Sequence, residues 1–313
     1  MSEEHTARRA ALRGTLAVVI SACCFGSISP LTVIATDRGM ALESIQSWRY
    51  LTSALLLVAI GVLRRPAAPA QGIGPWYAPR TLLLAGSGQA LVATLALAAL
   101  RWLPAATASF LFYTYPAWVT VITALRGLEP LDRTRLVALM LALGGIGAMV
   151  GAPDAASLSP IGLVVILSGA LVYALYIPLL GSLQRGRDPL DVSRAIAVGG
   201  TAIFVAWALT AGTLFAVPDP VAFGASVAQG VLSAGSFLGF LAGLKVLGSV
   251  RTAITSTVEP FWTTMLGVVL LGQSVGTGTI VGGAAIMAAV LLLQRQVASP
   301  PDQSSNSTAA AVG

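Results

Sequence analysis

The residues best suited to chemistry are few, and they lie inside apolar runs. Glu259 sits deep in the apolar stretch 251–271, roughly 12 Å from its start if that stretch is helical. A carboxylate at that depth is expensive unless it faces a cavity, finds a partner or takes a proton. It is therefore either a transport or proton-coupling group or a neutral, hydrogen-bonded structural acid. Pro260 follows it directly. Proline removes the bond to the carbonyl four residues back, on Ser256, and kinks a helix. Thr255, Ser256 and Thr257 can satisfy part of what it frees. Pro116 does the same to the carbonyl of Phe112, but there Tyr115 stands where the acid would be.

Arg49 shares a helical face with Gln46 and Ser53 at i−3 and i+4. It can bind an anionic group, pair with an acid, or snorkel to the nearer membrane surface. Gln89 and Gln229 are further polar groups in apolar stretches; buried amides need partners, so both are expected to face the bundle interior. Tyr113, Tyr115, Trp118 and Trp262 could form an aromatic wall around an organic substrate, or face lipid or core. Tyr173 and Tyr176 share a face just before Pro178. Other chemistries lack their residues. The single histidine, His5, lies in a polar terminus, no G-x-x-x-x-G-K-[ST] nucleotide loop occurs, and Cys23 and Cys24 are neighbours whose side chains diverge on a helix.

The elements that must position these residues are membrane spans. The chain is 56% apolar and only 10% charged, with a mean hydropathy of +0.84, whereas a soluble domain carries roughly 25% charge. Apolar stretches fall at 14–35, 43–63, 80–99, 105–125, 134–151, 160–180, 191–210, 220–243, 251–271 and 276–294. Most approach the ~20 residues that cross ~30 Å of hydrocarbon. Arg8, Arg9 and Arg13 before the first stretch give it the look of a signal peptide, but the spans that follow and the lack of a cleavage pattern favour a retained helix. With the N-terminus inside, all of the 18 basic residues except Arg38, Arg49 and Arg101 fall on the inner side, which places both termini in the cytoplasm. The net charge of +6 then sets topology and does not point to nucleic acid. Small-residue stripes, such as Gly235, Gly239 and Gly243, suit close helix packing.

One sentence recurs. Positions 99–118 read ALRWLPAATASFLFYTYPAW and positions 243–262 read GLKVLGSVRTAITSTVEPFW. Arg101 and Lys245, Pro116 and Pro260, and Trp118 and Trp262 match at one fixed offset. Five spans per half is an odd number, so the second half enters the membrane the other way up. The expected organisation is a cytoplasmic tail (1–13), a five-helix unit (14–151), a linker (152–159), an inverted five-helix unit (160–294) and a disordered cytoplasmic tail (295–313). The fold class is an all-α membrane protein of ten transmembrane helices in two inverted five-helix repeats. Such architecture marks secondary transporters, with sites at broken helices near mid-membrane.

This pattern resembles the EamA family of the drug/metabolite transporter superfamily over about 12–295. Pro116, the run Gly127-Leu128-Glu129-Pro130, Glu259-Pro260 and Leu271-Gly272 carry the likeness, with Phe25-Gly26 a weaker match. Gln273 and Tyr115 stand where the family often has Glu. The resemblance implies two interlocked repeats around a central cavity, no bound cofactor, and transport of small organic solutes such as amino acids, metabolites or toxic compounds across a bacterial-type inner membrane. The transport is often export, driven by protons or by exchange. The partners expected are the solute, protons and the lipid bilayer, with the chain a monomer or homodimer. The expected mechanism is alternating access around Glu259 and the aromatics, with Pro116 and Pro260 as helix breaks. A non-transporting membrane receptor or assembly partner is the alternative.

Overall fold

The computed structural model describes residues 2–64, 73–99, 101–103, 105–129, 132–151, 159–216, 219–271 and 276–295. The expected linker, the expected C-terminal tail, Pro130, Gly272 and Gln273 lie largely or wholly outside the described residues. Thirteen helices occur among the described residues: α1 (Ser2–Gly26), α2 (Ile28–Thr36), α3 (Leu42–Arg64), α4 (Pro79–Ala99), α5 (Ala105–Phe112), α6 (Tyr115–Leu125), α7 (Arg133–Val150), α8 (Pro160–Leu183), α9 (Pro189–Thr210), α10 (Pro220–Leu247), α11 (Ser249–Thr255), α12 (Val258–Leu271) and α13 (Thr277–Arg295).

Local chemistry explains where several begin. Ser159-Pro160, Asp188-Pro189 and Asp219-Pro220 each put a capping side chain before a proline at the first helical position. Proline there loses no helical bond, and the cap satisfies an orphan N–H. Asp219 accepts from the amides of Val221 (2.6 Å) and Ala222 (2.8 Å), and Asp188 from Leu190 (2.8 Å). Gly248, at φ +77°, turns the chain from α10 into α11, a conformation that disfavours any side chain. Residues 2–13, read as a tail, continue α1 as helix; Glu, Ala and Arg are good helix formers.

Prolines explain the interruptions. The stretch 105–125 breaks at Tyr113-Thr114, just before Pro116, and 251–271 breaks at Ser256-Thr257, just before Pro260. The Ser256 carbonyl that Pro260 cannot reach accepts instead from the Glu259 amide, one residue closer, at 3.0 Å. A third break, at Ser27 between α1 and α2, precedes Pro30 in the same way. By contrast, Pro178 lies inside α8 and does not end it.

Counted with each interrupted pair as one rod, the helices make ten rods among the described residues. Their packing is symmetric on exchange of the first five for the last five. Helix α1 lies along α10 as α8 lies along α4; α3 meets α10 as α9 meets α4; α12 meets α1 as α6 meets α8. Helix α3 packs on α9, α7 on α13, and α6 on α11, each pair exchanging with itself. Close approach is built with glycine: a Cβ on Gly199 of α9 would sit 2.5 Å from the Leu82 carbonyl oxygen and 2.8 Å from the Gly86 Cα of α4.

Six of these helical segments are long and apolar enough to cross a membrane: His5–Thr36, Leu42–Arg64, Pro79–Ala99, Pro160–Leu183, Pro189–Thr210 and Pro220–Leu247. The expected spans at 105–125 and 251–271 are interrupted, so their pieces are shorter. The exterior is apolar: Leu125 is 84% exposed and Val269 76%. So many bare aliphatic side chains fit a lipid-facing surface, not a water-facing one. The chain is an all-α, multi-helix membrane protein.

Candidate functional site

The interior of the bundle is where polar and aromatic side chains meet. Tyr113 and Tyr115 flank the α5–α6 break and are buried, Tyr115 being 1% exposed. The Tyr115 and Tyr173 rings meet edge to face with centroids 4.6 Å apart, and Phe112 stacks on Tyr173 at 5.7 Å. Such edge and offset arrangements are the favoured ones for aromatic pairs. A second set of rings continues the belt: Tyr50 packs against Phe204 (4.9 Å) and Phe237 (6.1 Å), and Phe237 against Phe25 (5.8 Å). Between them lies a narrow gap of about 10 Å³, room for about one water, lined by Phe25, Gln89, Tyr173, Leu180, Ile196, Phe237, Phe240 and Leu241.

Glu259 stands at the N-terminal end of α12, half-buried. Its carboxylate interacts with the Tyr113 hydroxyl and with the positive charge of Arg49, and it acts electrostatically on Tyr115 and Tyr173. The helix break places it there. Unwinding at Ser256-Thr257 sets α12 off from α11, so its first turn faces the rings of α6 and α8.

Arg49 is 6% exposed. Its Nε donates to Ser233 Oγ at 2.7 Å and its Nη1 to Gln46 Oε1 at 3.1 Å, and its guanidinium lies 5.1 Å from the centre of the Tyr50 ring. It points inward and does not snorkel. The bond to Gln46 is the i−3 contact expected from spacing. Ser53, expected on the same face, is fully buried with its hydroxyl unpaired among the described residues.

The other candidates divide. Gln89 lines the cavity next to Tyr50. Gln229 is fully buried one turn from Ser233; its Oε1 accepts from Thr32 at 3.2 Å, while its Nε2 has no partner among the described residues. Trp262 donates its Nε1 to Ser27 Oγ at 3.0 Å, tying α12 to the α1–α2 break. Tyr176 donates to the Ala85 carbonyl of α4 and packs over Gly88, within electrostatic reach of Tyr50 and Tyr173. Trp118 is 40% exposed on the outer side. The structure thus gathers Glu259, Arg49, Gln89, Tyr113, Tyr115 and Tyr173, with Gln229, Trp262 and Tyr176 at the margin, and turns Trp118 outward. Sequence reasoning missed Tyr50, Phe237 and Ser233, whose roles depend on which helix lies opposite. Pro116 and Pro260 sit beside two of the breaks.

Among the described residues, no three His, Cys, Asp or Glu side chains come together as a metal site would require. The site offers one acid, one cation, phenols and amides beside an apolar gap that Gln89 and Tyr173 help to line. That set can bind and release a small molecule and carry a proton. A model of the EamA-like transporter family matches this sequence twice, over residues 12–151 and 160–295. The sequence is 27% identical over 302 residues to the uncharacterized transporter YcbK of Bacillus subtilis (strain 168), covering 90% of this chain and 92% of that one. A solved crystal structure with 18% identity superposes with a TM-score of 0.74, covering 91% of this chain and 98% of the other; it shares the fold.

Proposed function

The chain belongs to the EamA-like transporter family, a family of membrane permeases for small molecules, and from that premise we propose a specific reading of its site. It moves small organic solutes across the bacterial-type inner membrane by alternating access, with Glu259 as its proton-carrying group. The ten rods are ten crossings, arranged as two five-helix repeats of opposite orientation with both termini in the cytoplasm. The symmetry of helix packing under exchange of the halves supports this, as do the two matched segments and the distribution of basic residues.

The observation that carries the reading is the position of Glu259. It is a carboxylate beside a helix break, facing tyrosines and an arginine inside the bundle. An acid is kept at such a place at a cost, and a reversible proton is the use that repays it. The three breaks, at Ser27, Tyr113-Thr114 and Ser256-Thr257, are where rods can bend as the halves rock. Substrate and proton share one cavity. A cation would compete with the proton and run against it, as in proton-driven export; a neutral or zwitterionic solute suits exchange.

Reconstitution into liposomes tests this. A panel of amino acids, metabolites and organic ions is presented while internal pH is recorded. Glu259→Gln is expected to abolish flux driven by a pH gradient while leaving folding and solute counterflow largely intact. Unchanged gradient-driven flux in that variant would falsify the assignment of Glu259.

A further inference from the structure

Two opposite charges face the middle of the bundle, and they do not touch. Among the described residues, Arg49 is held by neutral acceptors, Ser233 Oγ and Gln46 Oε1, and by the face of Tyr50. Glu259 lies near enough for the two charges to interact. Among the described residues, the direct ion pairs are all elsewhere: Arg38–Asp219, Arg135 with Glu129 and Asp132, and Arg194–Asp191. A buried guanidinium without a contacting anion is one negative group short of a good site. Arg49 is pre-positioned on its inner side by two hydrogen bonds and has a planar fork suited to a carboxylate.

Resting on the reading of Glu259 as the proton carrier, we propose that the solute is an apolar organic monoanion that binds Arg49 together with the proton that neutralises Glu259. Anion and proton then move in the same direction.

The argument is one of charge. With the cavity empty and Glu259 ionised, Arg49 and Glu259 cancel. An anion added to that state leaves a net negative charge in a low-dielectric interior and faces a carboxylate. A proton added without the anion leaves Arg49 uncompensated. Both together restore neutrality. Only the empty and the doubly loaded sites are neutral, so only these pass through an occluded state without burying a net charge. A dianion would break this balance. The lining suggests the body of the solute: Arg49 lies over Tyr50, Tyr50 packs on Phe237, and Phe237, Phe25, Phe240, Leu180 and Ile196 line an apolar gap, which favours an apolar body once the gap widens as the halves move. A zwitterion would instead bridge Arg49 and ionised Glu259 and need no proton.

The titratable and charged groups around Glu259 are Tyr113 at the α5–α6 break, Tyr115 on α6, Tyr173 on α8 and Arg49 on α3. Of the helices packed on α12, α1 brings Cys23 and Cys24 nearest the break, α2 carries no titratable residue, and α13 carries none before its last residue. Phenols and thiols are ordinarily uncharged at neutral pH, so Glu259 is the group whose charge changes.

Three probes with a common phenyl body test the proposal on the purified full chain by titration calorimetry: phenylacetate, phenylalanine and phenethylamine. Phenylacetate stays anionic across about pH 5.5–8. Its affinity is expected to rise about tenfold for each unit the pH falls above the Glu259 titration, with one proton taken up per anion. Glu259→Gln is expected to bind phenylacetate tightly with no pH slope. Arg49→Gln is expected to lose at least about tenfold in affinity with its melting temperature little changed; if that variant does not fold, Arg49→Lys should weaken binding and keep the slope. Three results would overturn the proposal: no phenylacetate binding at pH 5.5, pH-independent preference for phenylalanine, or phenethylamine binding that strengthens as pH rises. In the last case, a pH response lost in Glu259→Gln leaves that residue as the proton carrier and removes only the anion. A pH response that survives in Glu259→Gln removes the carrier itself.

Discussion

The hydroxyl of Thr263 on α12 donates toward the carbonyl of Gly26 at 3.0 Å, the acceptor that Pro30, four residues on and without an N–H, leaves unpaired. The same hydroxyl lies 3.0 Å from the carbonyl of Glu259 within its own helix, so a single proton is shared between the α1–α2 break and the turn that carries the acid. One residue earlier, Trp262 bonds to Ser27. The two contacts make the first-half break a docking point for the helix of the candidate proton carrier.

Thr263→Val removes that shared proton at nearly constant volume. The Gly26 carbonyl is then unsatisfied in a water-poor interior, which costs about 1–3 kcal/mol. The expected result is a lower thermal midpoint in detergent and slower solute exchange, with Thr263→Ser restoring most of both. An unchanged midpoint would mean that water or a neighbouring group satisfies Gly26.

Glu129 tests a second junction. Its Oε1 accepts from the Ser249 amide at 2.6 Å and the Val250 amide at 3.4 Å, capping the first turn of α11, while its Oε2 pairs with Arg135 at 3.2 Å. This binds the loop after α6 to the start of α11, where the two halves meet. Glu129→Ala strands both amides and takes one of its carboxylates from Arg135, and is expected to destabilise by about 1–3 kcal/mol. Glu129→Gln keeps an acceptor but loses the charge, so its loss should be smaller. Chemical denaturation of the three proteins side by side gives the order; equal stabilities would dismiss the junction.

How much of this could be read in advance depends on the range of the interaction. Pro116 and Pro260 disclosed the breaks beside Tyr113 and Ser256 because a proline acts on its own chain. The break at Ser27 was missed although Pro30 signals it in the same way, since the run around it is apolar and reads as continuous. Gln46 was found beside Arg49 because i−3 spacing is local. Ser233 was not, because it reaches Arg49 only once α10 lies against α3. Trp118 shows how spacing misleads. It stands three residues from Tyr115, a spacing that can share a helix face, yet the inner stripe of α6 is Tyr115, Val119 and Thr123, each 4% exposed or less, while Trp118 and Leu125 form the outer one. A helix face admits both i+3 and i+4, and only the neighbours decide between them.

The glycine contact between α4 and α9 gives a third prediction. A Cβ on Gly199 meets backbone on both counts, the Leu82 carbonyl oxygen and the Gly86 Cα, so no side-chain rotation can make room. Gly199→Ala must push the two helices apart, and overpacking of this kind costs about 1–3 kcal/mol. Gly144, whose added Cβ meets nothing within 4 Å, is the control: Gly144→Ala should be neutral or slightly stabilising through helix propensity. Thermal midpoints of the two variants are expected to move apart, and coincident midpoints would contradict the close packing of α4 on α9.

The last prediction separates an aromatic that faces the acid from one that faces outward. Tyr113 presents its hydroxyl to Glu259, and Trp118 turns outward. Tyr113→Phe keeps the ring and deletes only the hydroxyl, so the acid loses a hydrogen-bonding neighbour without a cavity being made. A donor to a carboxylate favours its charged form, so removing it makes the protonated acid easier to form. The pH profile of transport should then shift toward higher pH while the melting temperature stays near that of the unaltered chain. Trp118→Ala removes a larger side chain and, if the outer side faces lipid, should leave the profile where it was. Proteoliposome flux measured against pH for both variants decides the matter. A profile moved by Trp118→Ala, or left in place by Tyr113→Phe, would mean that the proton reaches Glu259 by a route these tyrosines do not line.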